Sequence, residues 1–208
     1  MVTGDEKMAG KTERKEMIKE VTKKIIYIAV INIINDEGYA SVTMDKVAEV
    51  AGIAKGTIYA YFKNKEELLR EIFDDALHPL TETIDDILLG NKSPEEKLSD
   101  MATAMLKYFD ENDKFFRIMI YERELMQLEH ERLQDDRYHG VIKKLTKVID
   151  GGIKLGKFRK LNPKKVATIF LEAIVVTTKL RLLDKERPPI EDDVNHILEI
   201  TLNGIKAK

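Results

Sequence analysis

The sequence contains no cysteine, which excludes disulfide scaffolds, thiolate-held zinc or iron–sulfur sites and any thiol chemistry. It also lacks a run of about 20 uncharged apolar residues, the length a membrane-crossing helix needs. Its charged first residues have no apolar signal-peptide core, so a soluble cytoplasmic protein with no membrane partner is expected. A phosphate-cradling loop is missing too. Gly151-Gly152-Ile153-Lys154-Leu155-Gly156 follows a helical segment and has neither the dinucleotide spacing nor a Lys-Ser/Thr pair. There is no Ser-centred elbow and no HExxH pair, and His130 and His139 with Asp135 and Asp136 lack metal-ligand spacing. The sequence therefore predicts no enzyme activity, no cofactor and no metal. Period-2 alternation and internal repeats are absent as well, which removes sheet and solenoid architectures.

What is present is a helical chain with enough apolar content, 43% of its 208 residues, to fill a real core. Charged residues reach 35%, and glutamine occurs only at 127 and 134, a composition found in heat-adapted proteins. The charge is uneven. Residues 1–65 carry 11 Lys/Arg against 9 Asp/Glu, and residues 66–208 carry 24 against 28, so any contact with a polyanion belongs to the N-terminal part.

Breakers divide the chain into about nine helices. Residues 1–16 are polar and read as a flexible arm or fraying helix end. A helix buried on most sides, about 17–37, closes at Gly38. Short helices follow at about 43–50, capped by Thr43, and 54–62, and Lys65–Leu77 leads to a bend or restart at Pro79. Ser93-Pro94-Glu95-Glu96 is a capping box with proline at the first helical position, predicting a helix to about Phe109. Further helices are predicted over about 112–133, 135–151, 162–184 and 190–206.

Two short helices joined by a glycine turn and backed by a buried helix form the arrangement that places a second helix in the DNA major groove. Val47, Ala48 and Ala51 face inward, Gly52 makes the turn, Ile53 plugs the core, and Ile58 and Phe62 lie on the buried side of the second helix. That helix presents Lys55, Thr57, Tyr59 and Tyr61, a mixture of cation, hydroxyl and phenols suited to phosphates and base edges.

Gly38-Tyr39, Val42-Thr43, Val47-Ala48, Ala51-Gly52-Ile53, Lys55-Gly56-Thr57-Ile58-Tyr59, Tyr61-Phe62, Lys65-Glu66 and Leu68 together resemble the signature of the tetracycline-repressor (TetR) family. The stretch Gly152–Leu161 followed by Asn162-Pro163 is similar to the family's turn before its dimerisation helix. The resemblance implies that Thr43 and Lys65 hold phosphates and that Lys55, Gly56, Thr57, Tyr59 and Tyr61 make the recognition-helix contacts. Ala54 departs from the family's usual Ser or Thr, so one hydroxyl contact to phosphate is expected to be missing. Lys11, Arg14, Lys15, Lys19, Lys23 and Lys24 either extend the footprint or form a solvated face balanced by Glu13, Glu16 and Glu20, the second being the simpler reading.

The resemblance also implies an effector pocket on the middle helices, where Met101, Met105, Tyr108, Phe116, Met119 and Tyr121 are candidate ligand contacts among residues that otherwise serve as core. Val166–Leu183 is apolar almost all round, and the last helix carries an apolar stripe, so both need partners on more than one side. Ile174, Leu198 and Leu202 are candidate dimer-interface residues in a four-helix contact, as the resemblance also implies. The expected organisation is an arm (1–19), a helix-turn-helix DNA-binding domain (20–66, motif 43–62) and a helical effector-binding and dimerisation domain (67–208). The expected function is that of a homodimeric repressor on a palindromic operator of double-stranded DNA, released by a small, largely hydrophobic effector. An architectural or cell-cycle DNA-binding protein on the same scaffold, without an effector, is the alternative.

Overall fold

Local chemistry sets the helix boundaries in the computed structural model, which describes residues 4–113, 116, 136–184 and 186–205. Eight α-helices and no strand occur among them: α1 (Gly4–Glu37), α2 (Met44–Val50), α3 (Lys55–Tyr61), α4 (Lys65–Leu89), α5 (Pro94–Glu111), α6 (Asp136–Lys154), α7 (Pro163–Leu183) and α8 (Ile190–Ile205). A 3-10 turn, Tyr39–Ser41, follows α1, and Gly38 reaches it at φ 85, a conformation that β-carbon-bearing residues rarely adopt. At α5 the Ser93 hydroxyl accepts from the Glu96 N–H at 3.3 Å while the Glu96 carboxylate accepts from the Ser93 N–H at 2.8 Å. Hydrogen bonding from the Ser93 side chain, and next from the Ser93 N–H, holds the Glu96 carboxyl below its ordinary pKa. Asn162 caps α7 by accepting from the Lys165 N–H at 3.1 Å, with Pro163 at the first helical position.

The chain divides into two compact units, residues 1–76 and 77–208. In the first, α1 packs on α2 and the 3-10 turn, and α2 packs on α3. Its core includes Ile26, Val30, Ile33, Val47, Ile58 and Leu68, each 2% exposed or less. In the second, α5, α6 and α7 pack on one another with α8 against α5 and α7. Leu98, Met101, Leu145, Ile149, Phe170 and Ile174 lie fully buried at its centre. The C-terminal turn of α4 is closed by the Lys97 ammonium, which donates to the Leu88 carbonyl at 2.7 Å.

Four expectations are revised. Residues 4–16 continue α1 rather than forming an arm, because one interior glycine, Gly10, costs a helix only about 1 kcal/mol among good Lys, Glu and Met helix formers. α1 is not buried on most sides, since Ile18, Val21, Ile25 and Ile28 are exposed on the face opposite Ile26 and Val30. α4 runs unbroken through Pro79, which removes one hydrogen-bond donor without ending the helix. The first unit extends to Ala76, beyond the expected limit at 66, because Leu68, Leu69 and Ile72 of α4 belong to its core and Lys23 of α1 pairs with Glu71 at 2.6 Å. The helix expected at 112–133 lies largely outside the described residues.

Candidate nucleic-acid interface and effector region

The turn between α2 and α3 closes through backbone chemistry that only a left-handed residue permits. Gly52 sits at φ 65; its N–H donates to the Glu49 carbonyl at 3.1 Å and the Ile53 N–H donates to Ala48 at 3.0 Å. This double bond pattern ends α2 and redirects the chain within two residues. Val47, Ala48, Ile58 and Phe62 then face the core, so the opposite side of α3 faces solvent. On that side Lys55, Gly56 and Tyr59 are exposed, Tyr59 by 52%, and Thr57 and Tyr61 are half-buried at its edges.

The flanking candidates are placed differently. Exposed Thr43 caps α2 by accepting from the Lys46 N–H at 3.2 Å, which leaves its own hydroxyl proton to donate outward. Lys65 is half-buried; its ammonium donates to the Tyr39 carbonyl at 3.2 Å and lies 4.7 Å from the Tyr39 ring centre. Lys55 pairs with Asp45 at 2.5 Å, and this bond raises the lysine pKa. Both partners are exposed, so water and salt screen the pair and a phosphate can compete for the cation. Ala54 begins α3 with no side-chain cap, as its missing hydroxyl requires.

In the second unit, Met101 and Met105 are buried, and Tyr108, Phe109 and Phe116 form an aromatic group beside them. The Phe109 and Phe116 centroids stand 4.6 Å apart at 77°, the edge-to-face geometry that ring quadrupoles favour, and Tyr108 lies 5.9 Å from Phe116. Met119 and Tyr121 lie outside the described residues. Close to this group is an ion-pair network that sequence reasoning missed. Arg181, 4% exposed, binds Asp110 through Nε and Nη2, and its Nη1 donates to Asp193 and to the Pro188 carbonyl. Asp110 is the first cause of the raised arginine pKa. Arg187 reaches Asp113 at 2.7 Å. The only signal of this network in the sequence was a lone arginine in an apolar helix.

The dimer candidates differ in exposure. Ile174 is fully buried in its own unit, and Leu198 and Leu202 are half-buried against the same core. The large apolar residues that stand exposed on the last two helices are Ile169, Val176, Leu180 and Leu183 on α7 and Ile200 on α8, with exposures from 52% to 78%. Their i, i+7, i+11, i+14 spacing on α7 was available in the sequence. It was masked because the helix is apolar all round.

Two family models match this chain: bacterial regulatory proteins of the tetR family over residues 29–72, and the tetracyclin repressor-like C-terminal domain over residues 91–179. The chain belongs to the TetR family of transcriptional regulators. It is 26% identical over 187 residues to YhgD, an HTH-type transcriptional regulator of Bacillus subtilis (strain 168), covering 89% of this chain and 97% of that one. It is 27% identical to the fatty acid metabolism regulator protein of the same organism, covering 86% and 93%. The fold is that of FadR from Bacillus subtilis, solved in complex with stearoyl-CoA, with a TM-score of 0.71, 24% identity and coverage of 87% and 98%. As a TetR regulator the chain uses α2 and α3 as its helix-turn-helix, and it is not an enzyme.

Proposed function

We propose that this regulator is a homodimeric repressor that reads a palindromic operator through α3 and is released by a long-chain acyl-CoA. The observation that carries the effector class is the likeness, over nearly the whole chain, to a protein named as a fatty acid metabolism regulator. The buried methionines and the aromatic group of the second unit support it, since adaptable apolar side chains suit an alkyl chain. The α7 and α8 stripe supports the dimer, because an exposed row of large apolar residues is what a twofold mate covers. Thr43, Lys55, Gly56, Thr57, Tyr59, Tyr61 and Lys65 are the proposed DNA contacts; Lys55 exchanges Asp45 for a phosphate, and Lys65 acts from its place on Tyr39. α4 joins the two units covalently, and Pro79, which removes one of its hydrogen bonds, is the point where it yields when the effector binds.

The test is fluorescence anisotropy of a labelled operator titrated with stearoyl-CoA. Release of the DNA is expected, while retention of the operator at saturating stearoyl-CoA overturns the effector class. The Tyr59→Ala variant is expected to weaken operator binding by about 1–3 kcal/mol with its circular dichroism unchanged.

A further inference from the structure

Thr178 is 4% exposed, and its hydroxyl has no hydrogen-bond partner, the one such buried side-chain atom among the described residues. A helical threonine ordinarily satisfies itself by donating to the carbonyl four residues back. Thr22, Thr81, Thr83, Thr146 and Thr168 all do so here, at 2.7–3.1 Å. Thr178 does not, and a buried hydroxyl left unpaired is costly enough to need a reason.

Its position supplies one. Thr178 shares the buried face of α7 with Ile174 and with Arg181, which binds Asp110 on the last turn of α5 next to Phe109. The hydroxyl thus stands one helical turn from the polar end of the region where the aromatic group lies. We propose that Thr178 donates its hydrogen bond to the thioester carbonyl of the bound acyl chain and so determines which acyl compounds act as effectors; this rests on the effector reading above. The choice of a neutral carbonyl follows from the surroundings. The Arg181 guanidinium is held by two carboxylates and a carbonyl, and Arg187 is held by Asp110 and Asp113, so an ionised fatty-acid carboxylate beside Thr178 would meet Asp110 and Asp193 without a cation of its own. A thioester carbonyl needs only one donor.

The experiment compares stearoyl-CoA with S-octadecyl-CoA, a thioether of matching chain length that lacks the carbonyl, by calorimetric affinity and by operator release. The wild type is expected to bind the thioester about fivefold or more tightly than the thioether, the scale of one neutral hydrogen bond. Thr178→Val should bring that ratio to about one with operator affinity kept and thermal stability unchanged or raised, and Thr178→Ser should preserve the ratio. Equal affinity of the wild type for the two compounds, or an undiminished preference in Thr178→Val, overturns the assignment and leaves the effector reading standing. If stearoyl-CoA neither binds the wild type nor releases the operator, the effector reading and the role of Thr178 fall together.

Discussion

Gly56 stands in open space on α3: a β-carbon there would meet nothing within 4 Å. The fold does not need a glycine at this position, and a glycine inside a helix costs about 1 kcal/mol relative to alanine. On the proposed function, close approach to DNA is the reason for it. Gly56→Ala should therefore raise the melting temperature while weakening operator binding, a divergence that paired thermal and anisotropy measurements would reveal. Gly152 is the opposite case. A β-carbon on it would lie 2.1 Å from Cδ2 of Phe158, whose ring is buried against α6. Overpacking strain of about 1–3 kcal/mol outweighs the helical gain, so Gly152→Ala should lower stability in urea unfolding. Asp75 carries a pH signal. Burial raises its pKa; Lys23 opposes that, and Glu71, Glu20 and Asp74 add to it. A raised native carboxyl means that ionisation costs stability at neutral pH, and the cost disappears once pH falls below the ordinary carboxylate range. Asp75→Asn is accordingly expected to raise the melting temperature at pH 7 and to lose that advantage on acidification; an equal gain at every pH would refute the charge argument.

At the scale of elements, α7 has two apolar faces with different tasks. One packs Phe170, Leu171 and Ile174 into its own unit, and the other exposes Ile169, Val176, Leu180 and Leu183. Leu180→Asp should give a folded monomer by sedimentation, whereas Ile174→Asp buries an unpaired charge and should unfold the unit at a cost of several kcal/mol. A dimeric Leu180→Asp variant would remove this face from the interface. The same helix shows what was legible in the sequence. Its start at Asn162-Pro163 and the capping box at Ser93 are local chemistry and could be read directly, as could the glycine turn at Gly52. Which side of an all-apolar helix meets its own core depends on partners elsewhere in the chain, and no periodicity encodes it. The bond between Arg181 and Asp110 spans 71 positions and was invisible for the same reason. The restart offered at Pro79 does not occur because a proline removes only one bond of a long helix, and the rest of α4 outweighs that loss. On α3, by contrast, the buried and exposed sides followed from Ile58 and Phe62 alone, so the candidate DNA face was legible where the effector region was not.

For the whole molecule, the proposed function makes DNA recognition and effector response linked equilibria: an acyl-CoA would weaken operator binding only as far as it prefers the DNA-incompetent state. Operator affinity should also fall steeply with salt, since each phosphate contact releases counterions. The most direct test is selection of binding sites from a random DNA library by the purified protein, repeated with stearoyl-CoA present. Enrichment of a palindrome is expected in its absence, and a loss of affinity for that palindrome of at least about tenfold, or 1.4 kcal/mol, in its presence. Recovery of no specific sequence, or a palindrome bound equally well with stearoyl-CoA on the protein, would contradict the proposed function.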